Sequence, residues 1–173
     1  SNMSILKDRN SLLRVDPEHA VTFVTNHDTE KETNQGNRIG SAENKLLAYA
    51  YILTHPGYPC IFYLDYETQL SKPKLEKLIT INRSLATGTL SVLFADLEYY
   101  VAQRNGDSKV PGLVVAINNG NAPKTQQVAT KWNNATLYDY TGNASQTIKT
   151  DANGRVSITT PAKSYTVWSL QKF

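Results

Sequence analysis

Only one cysteine, Cys60, occurs among the 173 residues, so no disulfide can form within the chain. The residues that follow it, IFY at 61–63, predict a buried thiol rather than a nucleophile. Cysteine usage therefore leaves the redox compartment open.

Long apolar runs are also lacking. The longest candidate covers residues 46–53, well short of the roughly 20 apolar residues that a transmembrane helix requires. No signal peptide can be recognised. Ser1-Asn2-Met3 resembles the remnant that a protease leaves ahead of a start methionine, so we expect the natural N-terminus and any targeting information to be absent. The choice between a secreted and a cytoplasmic location stays open.

Charge of one sign is not concentrated in any block. The 18 Lys and Arg residues exceed the 15 Asp and Glu residues by three, and they are spread along the chain. This argues against nucleic acid and against an anionic membrane as partners. With 40% hydrophobic and 19% charged residues, the composition is that of a globular protein.

The first half shows alternating strand and helix signals. Residues 20–25 and 59–64 are short apolar runs that predict strands, and residues 42–54 repeat apolar groups at helical spacing. This order predicts a β-α-β unit with parallel neighbouring strands. A second helix is predicted over residues 72–86, with Ser71 as N-cap and Gly88 as its stop.

The second half changes to short alternating runs rich in Val, Ile, Thr and Tyr. Turn pairs such as Asn119-Gly120 and Asn153-Gly154 separate these runs. They predict an antiparallel sandwich whose strands cover residues 99–104, 113–118, 125–130, 136–140, 156–159 and 165–170. The predicted fold class is therefore α+β, with a change of architecture near residue 88.

The most specific segment is FVTNHDT at residues 23–29, in which a strand delivers His27 and Asp28 to its carboxyl end. Chemistry in α/β folds is placed at such ends. A purely structural explanation also exists, because Asp28 can cap the following turn and His27 can be a satisfied polar residue. For an isolated His-Asp pair we would favour that structural role.

Two stretches resemble segments of a known protein family, and this resemblance favours a functional role for His27 and Asp28. FVTNHDT resembles the F-V-x-N-H-D-T segment at the end of the seventh barrel strand in the alpha-amylase family of glycoside hydrolases. AYAYILTHPGYPCIFY at residues 48–63 is similar to the helix and eighth strand that follow there. GLVVAINNG at 112–120, DYTG at 139–142 and YTVW at 165–168 resemble the family's C-terminal sandwich domain more loosely.

The resemblance implies a division into two parts. Residues 1–88 would be the last two strands of a TIM barrel, an incomplete β-α-β-α piece, and residues 89–173 an all-β antiparallel Greek-key sandwich. The implied function is that of a retaining hydrolase cleaving α-1,4-glucosidic bonds in starch, glycogen or maltodextrins. Linkage preference and endo or exo action are not determined by the sequence.

The resemblance also implies roles for individual residues. Asp28 matches the carboxylate that stabilises the transition state, and His27 matches the imidazole that hydrogen-bonds the sugar. Asn26 would position this pair at the substrate. The family's nucleophile and acid/base have no counterpart here, and hydrolysis with retention needs both. We therefore expect the chain alone to be inactive, with no metal site or cofactor of its own, although the longer protein can hold calcium.

Further residues near the predicted strand ends are candidates for substrate contact. They are Arg38, for which a solvated loop position is the alternative, Tyr63, and Asp65. Asp65 and Glu67 lie at the same rim as Asp28, but such carboxylates commonly cap loops or face solvent, so we do not expect them to rebuild an acid/base pair. For Trp132, burial in the protein and stacking against a sugar are equally expected.

Other aromatic and imidazole side chains have simpler interpretations. Tyr58 and Tyr66 flank Tyr63 and could present a stacked surface to sugar, whereas Trp168 is predicted to lie in the sandwich core. His19 and His55 lack metal-ligand spacing, and His55-Pro56-Gly57 predicts a helix stop.

Two other hypotheses remain beside the enzyme fragment. The chain could be a non-catalytic carbohydrate-binding or scaffold module, or the product of a decayed gene. The expected partners are an α-glucan and the N-terminal barrel portion. Because each barrel strand would lack one neighbour, self-association through the open strand edges is also expected. The sandwich is expected to carry most of the independent stability.

Overall fold

The computed structural model describes residues 2–8, 10–31, 39–144 and 146–170. Its first part contains two short strands, β1 (Val21–Phe23) and β2 (Tyr58–Cys60). They pair in parallel, with Val21 opposite Tyr58 and Phe23 opposite Cys60. The predicted parallel pair is confirmed, although both strands are shorter than expected because the chain turns into helical segments soon after each one.

The described residues of this part form four α-helices: α1 (Leu12–Val15), α2 (His27–Lys31), α3 (Ala42–Thr54) and α4 (Lys72–Leu85). Two 3-10 helices cover Met3–Lys7 and Pro17–His19, and a π-helical turn covers Asp65–Gln69. Helix α3 has the predicted bounds. Its Ser41 Oγ accepts a hydrogen bond from the Asn44 amide at 3.1 Å, a standard N-cap. None of the described helices is both long and apolar enough to cross a membrane.

Gly88 follows the end of α4 with a positive φ of 83°. A Cβ at this position would lie 2.2 Å from the carbonyl oxygen of Gly106. Glycine is therefore required here both by the backbone conformation and by the close approach of a second chain segment. The predicted stop is confirmed, with the last helical residue at Leu85.

In the second part, the residues that the structure describes form eight further strands. They are β3 (Leu90–Ala95), β4 (Tyr99–Arg104), β5 (Leu113–Asn118), β6 (Lys124–Ala129), β7 (Thr136–Asp139), β8 (Ile148–Lys149), β9 (Arg155–Thr160) and β10 (Ser164–Ser169). One sheet has the order β3-β4-β5-β10-β7-β8, and β6 and β9 form a separate two-stranded sheet. The pairings within these two sheets are antiparallel. Six strands were predicted within about one residue, whereas β3 and β8 were not predicted.

The six-stranded sheet is the middle layer of the molecule. Every residue of β4 and β5 is buried, so both faces of the sheet are covered. On one face Tyr100, Val115 and Val167 pack against leucines and isoleucines of α3 and α4. On the other face Val101, Val114 and Trp168 pack against β6 and β9. The helices therefore share a core with one face of the sheet, and β6 and β9 share a second core with the other face.

Three side chains show how well burial could be predicted. Trp168 lies in the core at 2% exposure, as predicted. Trp132 is 6% exposed and belongs to the core between the sheet and the β6-β9 pair, so it is buried and does not offer a stacking surface to sugar. The prediction for Cys60 is wrong, since its thiol is exposed. The reason is that Val21, Phe23, Tyr58 and Cys60 share one face of the two-stranded sheet, and no described element covers that face.

Candidate functional site

The segment after β1 forms the start of a short helix rather than an open loop. The Asn26 side chain caps α2, since its Oδ1 accepts the backbone N–H groups of Asp28 at 3.0 Å and Thr29 at 2.9 Å. The Thr29 hydroxyl in turn accepts the Asn26 N–H at 3.0 Å. Asn26 therefore fixes the backbone on which the next two residues are displayed.

His27 and Asp28 occupy the first turn of α2 and point to solvent. Their side chains are 77% and 76% exposed, and His27 Nε2 lies 3.2 Å from Asp28 Oδ1. Adjacent imidazole and carboxylate groups at this distance can present a donor and an acceptor to one ligand. Asn26, His27 and Asp28 are thus brought together at the carboxyl end of β1.

Asp65 lies beneath this segment and is fully buried. Its Oδ1 accepts a hydrogen bond from Lys45 Nζ at 2.7 Å, and its Oδ2 accepts one from the Tyr49 hydroxyl at 2.7 Å. The Thr25 hydroxyl also donates to Oδ2. The expected proximity to the end of β1 is present, but Asp65 faces the interior and neither caps a loop nor meets solvent.

Lys45 extends this arrangement to α2. Its ammonium group lies 2.7 Å from Glu30 Oε2 and 2.6 Å from Gln69 Oε1, and Gln69 Nε2 donates to Glu30 Oε1 at 3.0 Å. One buried cation therefore connects α2, α3 and the π-helical turn. Because charge-assisted hydrogen bonds in a buried setting are strong and directional, this network holds α2 in place beside β1.

Tyr49 completes the buried side of the network. Its hydroxyl accepts the Phe62 N–H at 3.2 Å while donating to Asp65. Burial is the main cause that raises the pKa of Tyr49 far above its ordinary value, and the hydrogen bond to Asp65 raises it further. The hydroxyl thus stays protonated and remains a donor to the carboxylate.

The aromatic candidates lie on β2 and in the connection that follows it, and they differ in their surroundings. Tyr63 is 70% exposed and lines a shallow cleft of about 490 Å³ together with Ile79 and Arg83 of α4. The Tyr66 hydroxyl donates to Glu76 Oε1 at 2.9 Å, and Lys72 Nζ lies 4.4 Å from the centre of its ring. Tyr58 lies on the uncovered face of β2.

Arg38, the remaining candidate, lies outside the described residues. Across the described part of the chain, no group of three or more His, Cys, Asp and Glu side chains is arranged to hold a metal ion. Sequence reasoning missed Lys45, Tyr49 and Thr25. The available signal was a lysine and a tyrosine spaced four apart on the apolar face of α3, where an unpaired charge would be costly.

Sequence comparison identifies relatives that match almost all of the chain. An alpha-amylase of Geobacillus stearothermophilus is 34% identical over 176 residues, covering 94% of this chain and 31% of the relative. The cytoplasmic alpha-amylase of Escherichia coli K12 is 31% identical over 180 residues, covering 94% of this chain and 36% of the relative. The chain thus spans about a third of the length of these curated relatives.

Solved structures of similar fold agree with these relatives. An alpha-amylase from Geobacillus thermoleovorans, complexed with acarbose, superposes with a TM-score of 0.68 at 19% identity, covering 88% of this chain and 39% of that one. A three-domain cyclomaltodextrin glucanotransferase gives a TM-score of 0.66 at 24% identity, covering 91% and 37%. The family model described as Alpha-amylase C-terminal matches residues 113–169, which span β5 to β10 of the sandwich. The chain therefore belongs to the alpha-amylase family, within which it corresponds to the C-terminal part.

Proposed function

We propose that this chain is part of a retaining glycoside hydrolase that cleaves α-1,4-glucosidic bonds in starch, glycogen or maltodextrins. One observation carries the proposal. Asn26, His27 and Asp28 are displayed at the carboxyl end of β1, on a backbone that a buried charge network supports from below. Such support is typical of a site whose side chains must keep a fixed position.

In this proposal Asp28 stabilises the positive charge that develops on the sugar ring in the transition state. His27 donates a hydrogen bond to a sugar hydroxyl in the same subsite. The exposure of both side chains and their 3.2 Å separation support these roles, because a sugar can reach both groups at once. Asn26 acts on substrate through the helix turn that it caps.

Tyr63 and Arg38 are proposed as outer contacts to substrate. The ring of Tyr63 is exposed, and this supports a contact with substrate because a sugar face can stack on it. Asp65 is proposed to serve the site from beneath, by joining Lys45 and Thr25 at the end of β1, because both of its carboxylate oxygens are engaged inside the protein.

We also propose that this chain does not catalyse hydrolysis on its own. Hydrolysis with retention uses two carboxyl groups roughly 5 to 5.5 Å apart on the two sides of the scissile bond. Asp28 fills a third role, and the carboxylates of Asp65 and Glu30 are both held by Lys45. The nucleophile and the acid/base would come from further barrel strands.

We assign residues 1–88 to the end of a TIM barrel and residues 89–173 to the C-terminal sandwich with Greek-key connections. The parallel β1-α3-β2 unit followed by α4 supports the first assignment. The return of β10 to lie between β5 and β7 supports the second.

The uncovered face of β1 and β2 is the proposed contact with the rest of the barrel. Val21, Phe23 and Tyr58 are 62%, 51% and 61% exposed on it, which is unusual for strand residues of this type. When no barrel portion is present, the same face and the open strand edges are proposed to drive self-association. Sedimentation of the chain as a stable monomer at high concentration would count against this.

Examination of the gene upstream of Met3 tests the proposal directly. We expect a G-x-R-x-D segment and a catalytic Glu to precede this chain. The longer product should then hydrolyse a chromogenic maltooligosaccharide, and Asp28→Asn should lower kcat by at least about 1,000-fold, as expected for a lost electrostatic contact in the transition state. An upstream sequence without these carboxylates would favour the carbohydrate-binding module instead.

A further inference from the structure

A second cleft lies at the opposite end of the β1-β2 pair from Asp28. It has a volume of about 700 Å³ and opens beside Pro17 and Gly57, which precede the two strands. Its polar lining includes Arg14, Arg104, Glu18, Asn82 and Thr89. The proposed function makes no use of this cleft.

Arg104 brings a buried positive charge to the cleft. It is 7% exposed, and its Nε donates to the Gly88 carbonyl at 2.9 Å. Guanidinium has five N–H donors, and within the described chain the other four meet no protein acceptor. Burial without a counter-charge lowers the pKa of Arg104 to about 10, which still leaves the group charged at neutral pH.

Arg14 reaches the same cleft from α1. Its Nη1 is buried without a hydrogen-bond partner, and no described carboxylate forms an ion pair with it. A buried donor that lacks an acceptor destabilises the folded chain, and the cost is larger when the group is charged. An acceptor with negative charge would satisfy Arg14 Nη1 and would also offset the burial of the Arg104 charge.

His55 lies close to both arginines and cannot supply that charge. It is fully buried, its Nδ1–H donates to the Tyr51 carbonyl at 2.7 Å, and its Nε2 accepts the Tyr100 hydroxyl at 2.8 Å. Glu18 also lines the cleft, but within the described residues it forms no ion pair with either arginine. Two guanidinium groups therefore share a cleft without a bound counter-ion from the protein.

We propose that Arg14 and Arg104 form a binding site for a small oxyanion of the phosphate class. Guanidinium groups bind such anions with paired, charge-assisted hydrogen bonds, and the 700 Å³ cleft is large enough to admit a phosphorylated metabolite as well as the free ion. The site is distant along the strands from His27 and Asp28, so it is separate from the proposed sugar subsite.

Titration of the 173-residue chain with inorganic phosphate tests this proposal. Binding should be saturable with a Kd on the order of 1 mM, a value that two charge-assisted contacts can supply. The side-chain Nε–H resonance of Arg104 in NMR spectra should shift along the same curve. Potassium chloride at the same ionic strength should leave that resonance in place.

Variants decide whether the arginines are responsible. Arg14→Gln should raise the Kd for phosphate at least about 10-fold. Arg104→Lys should also raise it, because lysine keeps the charge but lacks the planar guanidinium group with its paired donors. Arg155→Gln is the control, because Arg155 is exposed on β9 and the charge change is identical. Far-UV circular dichroism confirms that each variant is folded.

Two results would overturn the proposal. One is the absence of saturable phosphate binding up to about 10 mM, well above the expected Kd. The other is an equal loss of binding in Arg14→Gln and Arg155→Gln, which would indicate general attraction of anions to a positive chain. Neither result affects the proposed hydrolase function, because His27 and Asp28 are unchanged in both variants.

Discussion

Lys45 Nζ lies 2.7 Å from Asp65 Oδ1, and their side chains are 5% and 0% exposed. This pair joins α3 to the segment after β2. Because Glu30 Oε2 also lies 2.7 Å from Lys45, one cation serves two buried carboxylates. Thr25 connects the end of β1 to this pair by its hydrogen bond to Asp65. Glu30 connects α2, the helix that carries Asp28, by its contact with Lys45.

Replacing Lys45 with Met should destabilise the chain strongly. The change leaves two carboxylates buried without their cation, and breaking a buried pair costs about 3 to 5 kcal/mol. Urea unfolding followed by circular dichroism measures the loss. Asp65→Asn should cost less than Lys45→Met, because Glu30 still pairs with the lysine.

The matched control for this prediction is Lys72→Met. Lys72 lies 3.4 Å from Glu67, with side chains 45% and 37% exposed, so the pair is screened by solvent. Its removal should therefore change the free energy of unfolding far less than removal of Lys45 does. Equal losses for Lys45→Met and Lys72→Met would contradict the role of the buried network.

The stability of the chain should depend on the neutral state of His55. Burial lowers the pKa of His55 to about 3, whereas in the unfolded chain it lies near 6.5. Below pH 6.5 the unfolded chain therefore binds a proton that the folded chain does not, so this stabilisation is complete above pH 6.5 and is lost as the pH falls. Between pH 6 and pH 4 the loss should be about 2 to 3 kcal/mol.

His55→Gln is the variant that isolates this contribution. The free energy of unfolding of the original chain should fall more steeply between pH 6 and pH 4 than that of the variant. Parallel curves for the original chain and His55→Gln would show that His55 is protonated in the folded state.

Gly57→Ala should destabilise the start of β2. Gly57 has a φ of 99°, and an added Cβ would lie 2.8 Å from the Ala20 carbonyl oxygen, which accepts the Tyr58 N–H. We expect a cost of about 1 to 3 kcal/mol from backbone strain. Gly40→Ala is the comparison, since a Cβ at Gly40 meets nothing within 4 Å. A similar, small effect of both changes on the melting temperature would refute the required close approach.

Trp132→Ala should act on stability. The indole is buried in a cluster that includes Val128 and Val156, so its removal should cost about 3 to 5 kcal/mol. Tyr63→Ala removes a side chain that is 70% exposed and should change the free energy of unfolding by less than about 0.5 kcal/mol. It should weaken retention on amylose gels if Tyr63 contacts sugar. Loss of retention by folded Trp132→Ala would favour the carbohydrate-binding alternative.

Much of the fold could be predicted because its local signals are strong. Helix α3 combines a serine N-cap with apolar residues at helical spacing, and β4 and β5 are apolar runs bounded by turn residues. Strand β3 was missed because its residues are all half-buried and its register with β4 shifts between Val92 and Phe94. Neither feature produces the alternating pattern that identifies a strand.

The candidate site could be predicted only in part. His27 and Asp28 follow from their position after an apolar strand and from the family resemblance. The burial of Asp65 could not be predicted, because it depends on Lys45, which lies 20 residues away in sequence. Cys60 was placed wrongly because an apolar neighbourhood in sequence does not show which face of a strand is covered.

The central claim is that the chain carries one part of a hydrolase site and does not work alone. Release of chromophore from a maltooligosaccharide by the purified 173-residue chain, compared with Asp28→Asn, tests it most directly. We predict that both proteins show the same rate as buffer, because in the proposed function Asp28 is a transition-state carboxylate and the nucleophile and acid/base come from further barrel strands. Turnover above the buffer rate that Asp28→Asn abolishes would contradict the claim.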